Sequence, residues 1–155
     1  MPTSDAHLKQ AAKNLQLIGI LYPDHSFNDW TVTVSFYTAV HIIENAIFQT
    51  AEIKFDDKKI RVLHSDELRG KLRDVSVDLP GNFTRHTERK IIVNQNFSEI
   101  LTEYSGLQIQ SETARYKAYD FKDVEVDMIV KFFLKPLVSW SNTKFDSKLD
   151  ISFVT

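Results

Sequence analysis

Cysteine is absent from the 155 residues, so the chain has no disulfide framework, no thiolate metal site and no cysteine nucleophile. That absence fits a reducing compartment, and the cytoplasm is the expected location. Glycine and proline are scarce, at four each, which is sparse for an all-β domain that must turn every ten residues or so. A large excess of one charge is also missing: 19 basic against 21 acidic residues leave a net charge of -2. No global positive field therefore drives non-specific nucleic-acid binding. Apolar runs stop well short of the ~20 residues of a membrane span, and the opening residues lack the basic-then-apolar order of a signal peptide, so no membrane association is expected. Glycine-rich dinucleotide and phosphate loops, His-Glu-x-x-His and Gly-x-Ser-x-Gly are absent too, which removes the common cues for nucleotide cofactors, zinc proteases and serine hydrolases. No cofactor is expected.

What is present suits one all-α domain. The composition is 43% hydrophobic, enough for a core that buries roughly two-thirds of the unfolded surface. Ser4 reads as the cap of a first helix with Leu8, Ala11, Ala12, Leu15 and Ile18 at helical spacing until Pro23. Asn28 or Asp29 reads as the cap of a central helix from about Trp30 to near Ala51. Residues 52–64 read as a charged connection, with a short strand around Lys59 to Leu63 as the lesser alternative. Ser65 reads as the cap of a third helix, with Asp66 and Glu67 in its first turn. A fourth helix starts near Thr84, and Asn94-Gln95-Asn96 is its weakest point. Residues 111–121 read as a turn, and Asp120 or Asp123 as the cap of a last helix that Pro136 must kink or split. The expected architecture is an up-down bundle of about five helices over 1–142, with a tail at 143–155 that lacks helical period.

The central helix is the most informative segment. At 100° per residue Trp30, Val34, Tyr37, His41, Glu44 and Phe48 fall on one arc. A second arc of Val32, Phe36, Ala39, Val40, Ile43 and Ile47 is wholly apolar, so both arcs should be buried. A buried imidazole and carboxylate each cost several kcal/mol unless partnered, and the i,i+3 spacing of His41 and Glu44 lets them meet.

The helix with Phe36, Tyr37, Ala39, His41 and Glu44, together with Ser111, Ala114, Arg115 and Tyr116 farther on, resembles the HEPN domains of prokaryotes over roughly residues 5–140. That resemblance implies a helical bundle that often dimerises, a nucleotide or RNA ligand, and a protein partner encoded nearby. It also implies a bacterial defence, toxin-antitoxin or regulatory setting. Nuclease members carry arginine, four to six residues, then histidine. Here the histidines are His7, His25, His41, His64 and His86, and the arginines are Arg61, Arg69, Arg73, Arg85, Arg89 and Arg115; none makes that pair. Lys59 precedes His64 at such a spacing, but an ammonium lacks the planar fork that grips phosphate. The leading expectation is therefore a non-catalytic binding or interaction module, a homodimer, with Tyr37, His41, Glu44, Arg115 and Tyr116 as ligand-binding residues.

Alternatives stand beside it. Tyr37, His41 and Glu44 also suit a satisfied polar network that sets helix register, or a dimer interface. An atypical ribonuclease dimer would use His64 or His86 with Lys59 or Arg89. A metal-binding bundle would join His41 and Glu44 to His64 or His86, without a closed ligand motif. Arg69, Arg73, Arg85, Arg89 and Lys90 offer forks for phosphate, yet Asp66, Glu67, Asp74 and Glu88 interleave as on a solvated face. Arg115 with Tyr116, Tyr119 and Phe121 suits base stacking or, equally, closure of the core.

Overall fold

Two long helices, α1 (Ser4–Leu21) and α2 (Asn28–Gln49), form the spine of the computed structural model, which describes residues 3–117 and 120–155. They run antiparallel, since the start of α1 meets the end of α2: Ser4 Oγ donates to Asn45 Oδ1, and His7 faces His41. The cap of α1 is Thr3, whose hydroxyl accepts from the Ala6 amide, rather than Ser4, which turns to Asn45 instead. Neither Asn28 nor Asp29 caps α2. The Asn28 amide is used across the fold, donating to the Phe121 carbonyl at 2.8 Å and to Asp123 at 2.9 Å.

Helix α2 is the buried element. Val32, Phe36, Ala39, Ile43 and Ile47 are in the core as their arc predicts, while Val40 of the same arc is half-buried against it. Two of its buried hydroxyls are satisfied within the helix: Ser35 donates to the Thr31 carbonyl at 2.7 Å and Thr38 to that of Val34 at 2.9 Å, the i−4 bonding open to serine and threonine in a helix. The polar arc is not uniformly buried. Glu44 is 1% exposed, whereas Tyr37 is 39% and Trp30 59% exposed, so the arc surfaces towards its N-terminal end.

After α2 the chain forms a small antiparallel hairpin, β1 (Ile53–Phe55) and β2 (Lys58–Ile60), with Ile53 opposite Ile60. Its strands lie within the segment read as a connection, and its turn at Asp56 takes a left-handed conformation with φ 50°. Two amides at the end of α4 (Arg85–Asn96) hold it. Asn96 accepts from the Lys54 amide and donates to its carbonyl, while Gln95 accepts from the Asp56 amide and donates to its carboxylate. The polar run that looked like a weak point in a helix is thus both its end and the seat of the hairpin.

A short 3-10 turn at Ser65–Glu67 leads into α3 (Leu68–Asp74). Its cap is His64, whose Nδ1 accepts from the Asp66 amide at 3.1 Å, because Ser65 is drawn inward to Glu44. Helix α4 starts where expected, and Thr84 is its cap, its hydroxyl accepting from the Thr87 amide. The chain breaks after Asn96 and resumes, through a 3-10 turn at Ser98–Ile100, as α5 (Leu101–Tyr116). Residues 111 to 116 are helical rather than a turn: with Ser111 and Ala114 buried and neither glycine nor proline present, α5 continues. Lys122 precedes α6 (Asp123–Ile129), and its amide donates to the Glu125 carboxylate at 2.8 Å, so neither Asp120 nor Asp123 is the cap.

Pro136 does not break the last helical segment. A π-helical turn at Val130–Leu134 joins α6 to α7 (Lys135–Phe145), with the Lys135 amide donating to the Val130 carbonyl. The wider turn accommodates a residue that has no N–H and would clash with a normal turn. Gly106 on α5 is matched to it: a Cβ there would lie 2.9 Å from the Phe133 ring. Beyond α7 the tail folds back, with Asn142 bonded to both the amide and carbonyl of Leu149, Lys135 donating to the Val154 carbonyl, and Phe153 against Gly19 of α1. The result is an all-α helical bundle with α1, α5 and α7 packed around α2.

Candidate functional site

Two polar clusters use the same face of α2. The inner one centres on Glu44. Its Oε1 accepts from Arg89 Nε at 2.7 Å and from the Ser65 hydroxyl; its Oε2 accepts from the Ser65 amide at 2.9 Å and lies 3.5 Å from His64 Nε2. Burial raises a carboxyl pKa, but Arg89, the two Ser65 donors and His64 outweigh it and hold Glu44 below its ordinary value. Burial likewise disfavours the guanidinium, while Tyr104 and Glu44 keep Arg89 above its usual range. The buried Tyr104 hydroxyl lies close enough to feel that guanidinium but lacks hydrogen-bond geometry, and burial pushes its pKa up.

Three imidazoles close this cluster. His7 on α1 stacks on His64, with centroids 5.1 Å apart, and its Nδ1 meets His41 Nδ1 at 2.9 Å. One of these nitrogens donates and the other accepts, so the two facing positions hold a single proton. Desolvation lowers the pKa of both rings, that of His41 to about 4. For His41 the neighbouring His7, Arg89 and His64 add to the lowering, against Glu44; for His7 it is His64 and Arg89 against Glu44 and Asp66. Chemically the set has a carboxylate, a hydroxyl and imidazoles in contact, the makings of proton transfer. Glu44, Ser65, Arg89, His64 and His7 are all buried, however.

The outer cluster is open. A cleft of about 370 Å³ is lined by Asp29, Trp30, Thr33 and Tyr37 of α2 and by Ala114 and Arg115 of α5. Arg115 Nη1 donates to the Tyr37 hydroxyl at 3.2 Å, and Nε donates to the Ser111 carbonyl. The guanidinium lies 5.7 Å from the Tyr37 ring centroid and 5.1 Å from that of Tyr116, within the range of cation–π attraction. Tyr116 is 73% exposed, so its ring does not close the core. Tyr119 lies outside the described residues, and Phe121 packs half-buried against the core.

His86 bridges the clusters. Its Nδ1 is 3.4 Å from Arg89 Nη1, its ring is 5.4 Å from Phe36, and burial, then Arg89 and Arg115, lower its pKa against Glu112. Thus Tyr37, Arg115 and Tyr116 come together at the surface, whereas His41 and Glu44 join His64 and Arg89 inside. Lys59 sits apart on the exposed side of the hairpin, opposite Lys54. Of the remaining members of the basic group, Arg69 pairs with Glu88 at 2.6 Å and Arg85 with Asp66 at 3.1 Å, while Arg73 and Lys90 are exposed. Among the described residues no group of three histidine or carboxylate side chains is placed to hold a metal ion.

Sequence reasoning missed Ser65 and His7 as members of the inner set, and Asp29 and Trp30 as walls of the cleft. His7 had a signal, standing four residues before Ala11 on the apolar stripe of α1. Ser65 had none, because its partner is twenty-one residues away. No family model, curated protein or solved structure matches the chain. No helix among the described residues is long and apolar enough to cross a membrane.

Proposed function

We propose that this chain is a non-catalytic, HEPN-like helical module that binds a nucleotide or an RNA base in the cleft between α2 and α5. The observation that carries the reading is the guanidinium of Arg115 set against Tyr37 and Tyr116 in a cleft walled by exposed Trp30. Aromatic faces stack bases, and a guanidinium favours the phosphate that accompanies them. Burial of Glu44 and Arg89 supports a structural role for the inner network, which would hold α2 in register beneath the cleft.

A homodimer belongs to the same reading. Leu17, Leu21, Phe27, Trp30 and Val34 line an apolar depression beside the cleft, and Leu17, Phe27 and Trp30 are exposed. The bacterial defence, toxin-antitoxin or regulatory setting rests on the family resemblance. Isothermal titration with nucleoside monophosphates and short single-stranded RNA tests the binding claim. Arg115→Ala should weaken binding at least tenfold while circular dichroism stays unchanged. Absence of heat with every nucleotide and RNA tried, at millimolar concentration, ends the reading. Sedimentation that finds only monomer at high concentration removes the dimer from it.

A further inference from the structure

We infer that the cleft selects guanine, through the Asp29 carboxylate. This rests on the nucleotide reading of the same cleft and adds the identity of the base. Asp29, Thr33 and Tyr37 are four residues apart on α2, so they form one row along the cleft wall, about 12 Å long at 1.5 Å per residue. The row has opposite charges at its ends. Arg115 is bonded to Tyr37 at one end, and the partly buried Asp29 carboxylate stands at the other. The Asp29 carboxylate makes no hydrogen bond or ion pair with another described residue.

A ligand that matches the charge of both ends has adjacent N–H donors at one extremity and negative charge at the other. Among the common nucleotides this describes guanine nucleotides alone. The guanine ring nitrogen N1–H and its exocyclic amine point the same way, and a carboxylate accepts both in parallel. Adenine and cytosine each set an amine beside a bare ring nitrogen, and uracil flanks its N–H with two carbonyls that a carboxylate repels. With the guanine edge at Asp29, Trp30 offers a face for the ring and the phosphate lies towards Arg115. Rejection of the other bases follows from the unpaired or repelled polar groups they would bring to the Asp29 end.

Titration of the full chain with GMP, IMP, AMP, UMP and XMP, repeated on Asp29→Asn, tests this. GMP should bind at least tenfold more tightly than AMP or UMP, with IMP between because it keeps N1–H and lacks the amine. In Asp29→Asn the GMP preference should vanish while XMP binding rises, since an amide accepts from N1–H and donates to the xanthine 2-carbonyl. That gain separates a changed readout from a damaged fold. Equal affinity for GMP and AMP in the unaltered chain, or a GMP preference that survives Asp29→Asn, overturns the guanine assignment and leaves nucleotide binding standing. Failure of every nucleotide to bind overturns both.

Discussion

Glu44 and Tyr37 stand seven residues apart on α2, which places them on one face at about 10 Å separation, yet their surroundings are opposite. Glu44 is met by five groups from three other parts of the chain: the Ser65 hydroxyl and amide, His64, Arg89, and His7 by way of the histidine stack. Tyr37 is met by Arg115 and by the Phe36 ring, and is 39% exposed along the cleft. The same helical face is therefore a sealed ionic joint at one end and a polar-aromatic wall at the other. Polarity on a helix reads as a site only where the neighbouring elements stop short of covering it.

The sharpest way to break this comparison is Glu44→Ala, which strands the buried Arg89 guanidinium. Loss of one partner of a buried pair costs about 3–5 kcal/mol, so urea unfolding should show a drop of that size. Replacing both partners, Glu44→Leu with Arg89→Met, should cost much less than the sum of the single changes. A loss below about 1 kcal/mol for Glu44→Ala would mean the joint is not sealed.

Next in size is pH. His41 has its imidazole pKa lowered to about 4 in the fold from 6.5, so as pH falls through 6.5 the unfolded chain takes up the proton first. Stability is complete above that value and declines across the window down to about 4, by about 2 kcal/mol once solvent screening of the half-exposed ring is allowed for, shared with the coupled His7. Glu44, held below its ordinary 4.5, adds a further loss at still lower pH as its carboxylate protonates. Denaturation midpoints from pH 7 to 4.5 should show this slope, and His41→Gln should flatten it. A flat profile in the unaltered chain contradicts the dry environment assigned to the histidines.

At the open end the stability effects shrink. Tyr37→Phe removes one half-exposed hydrogen bond and should cost under ~1 kcal/mol, with ligand affinity lowered far less than by Arg115→Ala. Trp30→Ala should shift stability by no more than ~0.5 kcal/mol, as for exposed positions away from special contacts, while weakening nucleotide binding. A loss of several kcal/mol at either position would show that the cleft wall is structural.

How much of this was legible varies by element. Helix α2 was readable because an apolar arc at 3.6-residue spacing has no other explanation over twenty residues. The caps misled at Ser4, Ser65 and Asn28, since each of these side chains has a distant partner that outcompetes the local amide. The hairpin was scarcely visible, because Ile53, Phe55 and Ile60 are too few to set a period, and the amides that seat it come from about forty residues on. Continuation of the last segment past Pro136 through a π turn leaves no mark in hydrophobic periodicity.

By itself the sequence determined an all-α chain with a long central helix, a buried apolar arc on it and a second face bearing Tyr37, His41 and Glu44, because periodicity is a local property of the chain. Only the tertiary structure decided which of those polar groups is dry and which is open. That choice depends on Arg89, Ser65 and His7 arriving over Glu44 and on Arg115 arriving beside Tyr37. Burial and charge pairing arise from contacts between distant segments, and these set the separate roles of two ends of one helix face.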